Sequence, residues 1–433
     1  MDAPWRTWTA RAALAVFALL SLWLAAAPAV QGSRVVLATA GGSPDWLLGP
    51  LRFAGSGTLA GGNAGWTYYG VLMAAMVVFA VIVWLAPSLS INGLWGAIVG
   101  LNLLFLLAPP LLSQDVFSYI AYARLGVEHG LNPYSHRPFD IPGDPVFGFA
   151  GSKDAVDVYG PFFTLLTYPL AWLSVPAAFW VLKFIAFAST LGIVATVRSI
   201  ADRVGALPTR AIALVGLCPA TLVHVVAGAH NEALTMLILM GGVSLAVSER
   251  ERVGGFVSTL ACGIKASAAV PLPFMLAAAR NKLQMLAGMV GAFLLAVVTA
   301  LIAFGPDALN GLNLISSNQN RSSRWSLPHR TVDGIDAIFG SVDRAAATDV
   351  VRGISVAILA VAVLWLLRRS WKQPETWLEN AGWATLGVLL ASAWLVPWYL
   401  LWLLPFAALS KNRWLVTATV VFAGYTLAIA IPY

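Results

Sequence analysis

The strongest candidate for a chemically active residue is Asp115, which follows an apolar run in LLSQDVFSYIAYARLGVEHGLNPY at 111–134. Ser113 can cap the helix that follows, which puts Asp115 in the first turn, where the helix dipole favours an ionised carboxylate. Tyr119 and Tyr122 follow on the same helix face. The pattern predicts a charged carboxylate beside an aromatic, hydroxyl-bearing wall. The alternative is an acid that only begins a helix at the membrane interface.

A second group of ionisable residues lies further along the chain. His230, Asn231 and Glu232 open an apolar segment in AGAHNEAL. Glu232 is therefore either a helix cap favoured by the dipole or a residue that helps to orient a ligand or a base. Lys265 stands in an apolar stretch with no acid near it in sequence. Such a residue is a functional candidate, here for a phosphate contact; the alternative is that it snorkels to the interface.

The stretch SSNQNRSSRWSLPHR at 316–330 is rich in cations. Guanidinium groups match phosphate oxygens in pairs, so this stretch is a candidate clamp for an anionic headgroup; the alternative is a solvated loop near anionic lipid. Its candidate phosphate-binding residues are Arg321, Arg324, His329 and Arg330. A later aromatic group is either an interfacial belt or a surface that stacks on a sugar ring. Its members are Trp394, Trp398, Tyr399 and Trp402.

Motifs for nucleotide or metal chemistry do not occur in the sequence. It contains no Walker loop, dinucleotide fingerprint, HExxH or paired metal-ligand spacing. No cofactor or metal ligand is predicted, although four loosely spaced acids leave open the binding of a divalent ion. They are Asp140, Asp144, Asp154 and Asp157. The net charge of +7 comes from short clusters between apolar runs, so it does not indicate a nucleic-acid partner.

The composition places these residues in a membrane protein. Of 433 residues, 59% are hydrophobic and 10% are charged, whereas soluble domains carry about 25% charged residues. Apolar runs long enough to span a bilayer recur along the chain, and only helices satisfy every backbone group of such a run in hydrocarbon. We therefore predict an all-α polytopic membrane protein, a single integral membrane domain over 1–433 with an uncleaved first helix.

The basic clusters predict the topology. All of them fall on the cytoplasmic side if 160–175 lies along the outer face and 253–279 forms a hairpin that turns near Lys265. This threading predicts about 13 transmembrane helices in the plasma membrane, with a cytoplasmic N-terminus and a juxtamembrane helix in the second external loop. The long external loops are expected at 31–66, 113–176 and 305–348. The candidate residues then gather on the external face.

An ordered set of motifs resembles the C-type glycosyltransferase superfamily, polytopic enzymes that take sugars from polyprenyl-phosphate donors on the external or luminal face. The motifs are QDVFSYIAYARLGVEHGLNPYS at 114–135, YGPFFTLL at 159–166, GAHNEALTMLILMGGVSLA at 228–246, GIKASAAVPLP at 263–273 and VPWYLLWLLP at 396–405. DVFSY, GLNPY and YGP are similar, more narrowly, to the actinobacterial polyprenol-phosphate-mannose-dependent α-1,6-mannosyltransferases. The chain departs from many superfamily members at 230–232, which reads HNE where they have an Asp.

The resemblance implies that Asp115 is the catalytic base of an inverting hexosyl transfer, with mannose as the expected sugar and an α-linkage, α-1,6 in the narrower resemblance. The base takes the acceptor hydroxyl proton, and Lys265 and the arginines stabilise the departing phosphate. The residues expected to orient substrates are Tyr119, Tyr122, Tyr159, His230, Asn231, Glu232, Trp398 and Tyr399. The implied partners are a polyprenyl-phosphate sugar donor, a glycolipid or oligosaccharide acceptor and membrane lipids, as in cell-wall or lipoglycan synthesis.

Two other functions stay open from the residues alone. A flippase or transporter of polyprenyl-linked glycans would have a continuous cavity with charges at mid-depth of the bilayer. A non-catalytic membrane scaffold would have no outer cavity that joins Asp115 to Lys265 and Arg321.

Overall fold

Every regular element in the described part of the chain is helical. The computed structural model describes residues 4–37, 43–309, 323, 326–340 and 342–429. Its α-helices are, in chain order, α1 (Pro4–Ala26), α2 (Asp45–Leu48), α3 (Ala64–Leu85), α4 (Ile91–Leu107), α5 (Asp115–Val127), α6 (Pro161–Thr167), α7 (Val175–Val204), α8 (Pro208–Gly216), α9 (Glu232–Val247), α10 (Glu251–Leu260), α11 (Leu272–Ala278), α12 (Lys282–Phe304), α13 (Leu327–Phe339), α14 (Arg344–Lys372), α15 (Trp377–Ala391), α16 (Leu404–Leu409) and α17 (Arg413–Ile429).

Several of these helices are long and apolar enough to cross a membrane. Within the described ranges they number five: Pro4–Ala26, Ala64–Ser88, Val175–Val204, Lys282–Ala308 and Arg344–Lys372. A sixth span results if α8 and the π-helical turn Thr221–Ala227 are counted together across a bend of 58°. Shorter apolar helices, including α4 and α9, accompany them. The chain is thus an all-α polytopic membrane protein, as predicted, while the number of about 13 spans stays a prediction.

The stretch 253–279 forms the predicted hairpin. Its two helices, α10 and α11, have ten and seven residues, too few for either to span a bilayer alone. Lys265 lies between them. The far ends of the hairpin meet, because the N–H groups of Arg280 and Asn281 donate to the carboxylate of Glu251 at 2.5 and 2.6 Å. Both ends therefore lie on the same side of the helix bundle.

Basic residues from different helices meet at one end of the bundle. Arg203 of α7 contacts Ser248, which follows α9, and Arg280, just before α12, pairs with Glu249 at 3.8 Å. The other end of α9 begins at Glu232, and its 16 residues separate the two ends by about 24 Å at the rise of an α-helix. The basic residues and the Glu232 end of α9 are therefore far apart, as the predicted threading requires.

A buried lysine holds the chain shortly before Asp115. Lys183 of α7 has no exposed surface. Its Nζ donates to the carbonyl oxygen of Ala108 and, at 3.2 Å, to that of Phe105, at the C-terminal end of α4. The helix dipole favours a cation at this position. Lys183 is not among the candidates above, although a lysine within an apolar run is a signal that the sequence carries.

Candidate active site

Separate segments of the chain meet around the carboxylate of Asp115, which begins α5. Ser113 Oγ accepts the backbone N–H of Asp115 at 3.2 Å, and one carboxylate oxygen lies 3.5 Å from Nε2 of His230. The His230 side chain is fully buried, whereas 33% of the Asp115 side chain is exposed. The carboxylate therefore has a buried neighbour on one side and an open face on the other.

A tight turn presents His230 to this carboxylate. A Cβ on Gly228 would lie 2.2 Å from the carbonyl oxygen of His224, so this position accepts only glycine. Ala229 has a φ of 55°, which is uncommon for a residue with a side chain. Nδ1 of His230 lies 2.6 Å from the His224 carbonyl oxygen, and the ring stacks on Trp398 with centroids 4.0 Å apart. The imidazole is thus held at one edge and on one face.

Lys265 forms an ion pair with Glu232. Its Nζ contacts Oε1 of Glu232 and lies 3.5 Å from the side-chain oxygen of Asn231. The rings of Tyr159 and Tyr399 flank the ammonium group, with centroids 5.6 and 5.2 Å away. The Glu232 side chain has no exposed surface, and a buried carboxylate without a partner is costly. The lysine therefore stabilises the charge of the glutamate in addition to any contact with a ligand.

Three polar atoms of the 230–232 segment are buried without a hydrogen-bond partner among the described residues. They are Nε2 of His230, Nδ2 of Asn231 and Oε2 of Glu232. Buried polar groups nearly always have a partner, so these atoms are ones that a bound ligand or water would satisfy. An amide donor beside a carboxylate acceptor matches hydroxyl groups, which both donate and accept. The segment is therefore suited to a ligand with several hydroxyl groups.

Tyr159 reaches this cluster because two glycines let separate backbones touch. A Cβ on Gly160 would lie 2.2 Å from the carbonyl oxygen of Gly263. The Tyr159 ring packs edge-on against Tyr119 with centroids 4.9 Å apart. The Tyr119 hydroxyl accepts the backbone N–H of Asn231 at 3.4 Å. Both tyrosines thus line the space between the carboxylate and the ion pair.

The electrostatic surroundings keep Asp115 ionised. Burial raises the pKa of its carboxyl group, but the hydrogen bond and charge of His230 in its protonated form, together with the charge of Lys265, outweigh burial and hold this pKa below its ordinary value. Burial raises the pKa of the Tyr119 and Tyr159 hydroxyls well above the ordinary value, so both stay protonated. The site therefore offers one ionised, half-exposed carboxylate that can accept a proton.

Tyr122 uses its hydroxyl to hold the loop that connects α5 to α6. It donates to the carbonyl oxygens of Ala155 and Val156 at 3.1 and 3.2 Å. Its ring centroid lies 6.4 Å from that of Tyr159, so it supports the aromatic wall from behind. A direct contact between Tyr122 and substrate stays a prediction.

Acids of the loop between α5 and α6 have protein partners. Asp144 accepts hydrogen bonds from Nε of Arg124 at 2.9 Å and lies 2.8 Å from Nε2 of His129. Asp157 accepts a hydrogen bond from the Thr164 hydroxyl at 2.7 Å, and burial raises its pKa to about 7. Within the described ranges, no three His, Cys, Asp or Glu side chains are grouped to hold a metal ion.

Asp144→Asn is expected to lower the free energy of unfolding of the loop by about 3 kcal/mol, because it leaves the Arg124 charge without its buried partner. Burial raises the pKa of Asp144, but the bonds from Arg124 and His129 outweigh it and depress this pKa. The stabilisation is therefore full above the ordinary carboxyl pKa of about 4 and is lost as the pH falls further. Limited proteolysis of the loop against pH measures it.

The exposed Asp154 supplies the matched control, since Asp154→Asn changes an acid of the same loop without touching Arg124. The prediction for Asp144 is wrong if both variants resist proteolysis equally at neutral pH.

Two of the predicted phosphate-binding residues, Arg321 and Arg324, lie outside the described residues. Between them, the backbone N–H of Ser323 donates to the carbonyl oxygen of Ala393 at 2.8 Å. This contact joins the predicted loop to the chain that leads into the 3₁₀ turn Pro397–Trp402. That turn carries the two aromatic residues that line the site.

His329 and Arg330 lie at the start of α13. Both approach Asp333 of the same helix, with His329 Nε2 and Arg330 Nη1 at 3.7 and 3.6 Å from its carboxylate. Arg344 of α14 also pairs with this acid. These contacts anchor α13 to α14, and a phosphate contact by His329 or Arg330 stays a prediction.

The helical membrane fold gathers a carboxylate, an ion pair and aromatic side chains at one end of the bundle, and comparison with known protein families assigns the chain to the membrane mannosyltransferases. The family profile described as "Alpha-(1->6)-mannopyranosyltransferase, N-terminal domain" matches residues 15–281, and that described as "MptB C-terminal domain" matches 331–432. The chain belongs to the α-(1→6)-mannopyranosyltransferase family, which confirms the resemblance noted from the motifs.

Individual relatives are distant in sequence. The chain is 25% identical over 376 residues to alpha-(1->6)-mannopyranosyltransferase A of Mycobacterium tuberculosis, covering 81% of this chain and 68% of the relative. It is 25% identical over 306 residues to the protein of the same name from Corynebacterium glutamicum, covering 62% of this chain and 61% of that relative. The chain thus spans about two thirds of the length of these relatives. No solved structure matches it.

Proposed function

We propose that this protein transfers a mannosyl residue from a polyprenyl-phosphate donor to a hydroxyl group of a glycolipid or glycan, forming an α-(1→6) linkage. The family and the names of the relatives support mannosyl transfer. The observation that carries the proposal is the partly exposed carboxylate of Asp115, backed by the buried His230. The site then lies at the extracytoplasmic face of the plasma membrane, with the basic residues and the N-terminus on the cytoplasmic side.

The reaction follows from the open face of Asp115. An acceptor hydroxyl approaches this face, and its oxygen forms a bond with the anomeric carbon while the bond from that carbon to the donor phosphate breaks. The phosphate leaves with the bonding electron pair, and Asp115 takes the hydroxyl proton late in the step. Attack opposite the leaving group inverts the anomeric centre, so a β-linked donor gives an α-linked product.

The donor phosphate needs more positive charge than the described cluster supplies. Lys265 faces the carboxylate of Glu232, and Asp115 adds a second negative charge, so these three side chains together carry one net negative charge. The guanidinium groups of Arg321 and Arg324 are proposed to supply the balance, since they bind phosphate oxygens in pairs. Ser323, which lies between these arginines in sequence, contacts the chain before the 3₁₀ turn.

The sugar is proposed to lie against the 230–232 segment. Nδ2 of Asn231 and Oε2 of Glu232, which have no described partner, would donate to and accept from its hydroxyl groups. The Trp398 ring stacks on the ring of His230. The Tyr399 ring stacks on that of Trp402, with centroids 4.1 Å apart. These stacked pairs give the sugar pocket rigid walls.

A transfer assay tests this proposal. Membranes that contain the protein are incubated with radiolabelled polyprenyl-phosphate-mannose and a short α-(1→6)-linked mannose oligosaccharide. The expected product is the acceptor longer by one mannose, and an α-(1→6)-specific mannosidase releases the label. Nucleotide-linked mannose should give no product. Movement of the labelled donor across sealed vesicles without a longer acceptor would instead establish a flippase.

A further inference from the structure

The tautomer of His230 follows from its hydrogen bond to the backbone. Nδ1 lies 2.6 Å from the carbonyl oxygen of His224, and a carbonyl oxygen can only accept a hydrogen bond. Nδ1 therefore carries a hydrogen. The ring has no exposed surface and stacks on Trp398, so its other nitrogen is held in one direction.

That other nitrogen, Nε2, faces the carboxylate of Asp115 at 3.5 Å. In the neutral ring, Nε2 is an acceptor, because the single ring hydrogen is on Nδ1. Two acceptors thus face each other, and Nε2 has no hydrogen-bond partner among the described residues. The carboxylate oxygen and Nε2 can therefore share one proton between them. Of the two side chains, Asp115 is the exposed one.

We propose that His230 is the second member of the catalytic base, and that the proton which Asp115 takes from the acceptor hydroxyl passes on to Nε2 of His230. The inference rests on the proposed glycosyl transfer. The acceptor O–H bond breaks as a carboxyl O–H bond forms, and this bond breaks in turn as Nε2–H forms. The pair then consists of a carboxylate facing an imidazolium ion, and the proton returns to water through the open face of Asp115.

The charged groups around His230 favour this transfer. Asp115 faces His230 from α5. Glu232, two residues after His230, begins α9 and pairs with Lys265 at the tip of the hairpin. Before proton transfer these groups carry one net negative charge, and afterwards they are neutral. The other ring nearby is that of His224, whose nitrogens have no described partner. Tyr119 and Tyr159, which also line this space, have a pKa raised by burial and stay neutral.

The dependence of kcat/KM on pH tests the inference with His230→Gln, because glutamine can form a hydrogen bond but cannot take up the proton. The base works when it is unprotonated, so activity falls as the pH drops through the apparent pKa of the pair. In the His230→Gln variant, the carboxylate of Asp115 is the only group of the pair that can take up a proton. The acid limb is expected to move to lower pH, because a carboxylate binds a proton less tightly than an imidazole does. At neutral pH, kcat should fall about 100-fold.

His224→Gln is the matched control. It replaces a second buried histidine, whose ring centroid lies 6.1 Å from that of Trp398, and it leaves the backbone carbonyl that holds His230 in place. Its acid limb should coincide with that of the wild type. A His230→Gln enzyme with lower activity but an unmoved acid limb would overturn the inference and leave His230 a purely structural residue.

A measurement on the wild-type protein tests the inference without requiring that any variant folds. Nitrogen-15 spectra of protein labelled at histidine should show the ring hydrogen of His230 on Nδ1 and none on Nε2 in the resting enzyme at the pH of the assay. A hydrogen on Nε2 alone would contradict the inference. Failure of the wild type to transfer mannose from any donor would instead contradict the proposed function, so the two failures are distinguishable.

Discussion

Asp115→Asn is expected to reduce mannosyl transfer about 1,000-fold or more, with the protein still folded. The amide has nearly the shape of the carboxylate but cannot take the acceptor proton, and general base catalysis contributes about 10²- to 10⁴-fold. Only one oxygen of Asp115 faces His230, and about a third of the side chain is exposed, so the substitution strands no buried charge. Initial rates with saturating donor measure the loss, and the apparent KM for the donor should change little.

Glu128→Gln is the matched control for that substitution. It makes the same acid-to-amide change on an exposed residue just beyond the other end of α5. Thermal unfolding of both variants in lipid nanodiscs should match the wild type. If Asp115→Asn retained wild-type activity, the base would have to be another group and the assignment of this site would fail.

Lys265→Met is expected to have the largest effect on stability, because it leaves the carboxylate of Glu232 buried and unpaired. The Glu232 side chain has no exposed surface and that of Lys265 only 17%, and removing one partner of a buried pair costs about 3–5 kcal/mol. The expected result is a lower thermal unfolding temperature in nanodiscs together with loss of transfer. The surface pair of Arg280 and Glu249, 86% and 81% exposed, provides the comparison: Arg280→Met should change little.

The double variant Lys265→Met, Glu232→Gln separates the two functions of the lysine. Removing both charges should restore most of the unfolding temperature, because no buried charge is left unpaired. Transfer should stay lost, since the donor phosphate is then without the Lys265 ammonium group. Full recovery of transfer in the double variant would show that Lys265 serves only to neutralise Glu232.

The α5 segment illustrates how far a local pattern can be trusted. The sequence predicted a helix with Asp115 in its first turn and Ser113 as its cap. The structure confirms the position of Asp115, since a helix start depends mainly on neighbouring residues. The prediction for Ser113 is wrong, because the cap position is Gln114, whose side chain forms no capping bond, and Ser113 Oγ accepts the N–H of Asp115 itself. The same reasoning put Tyr119 and Tyr122 on one face. Tyr119 lines the site, but the hydroxyl of Tyr122 binds a loop more than 30 residues away in sequence, which periodicity cannot reveal.

Other contacts around the site could not be predicted from the sequence pattern. The acids of the second external loop were too loosely spaced in sequence to assign, and the structure pairs Asp144 with Arg124 and His129. Lys183, a single lysine in a long apolar run, was passed over, yet it binds the end of the helix that leads to Asp115. Both contacts depend on how helices and loops pack together.

By itself, the sequence determined that this is an all-α membrane protein, that 253–279 turns back as a hairpin and that Asp115, Glu232 and Lys265 lie at the same end of the helix bundle. Hydropathy, charge placement and ordered motifs carry this information because the bilayer imposes it on each segment separately. Only the tertiary structure decided that Lys265 meets Glu232 and that Nε2 of His230 faces Asp115. Such contacts arise between segments distant in sequence, where close approach of glycine backbones and the orientation of buried rings select the partner.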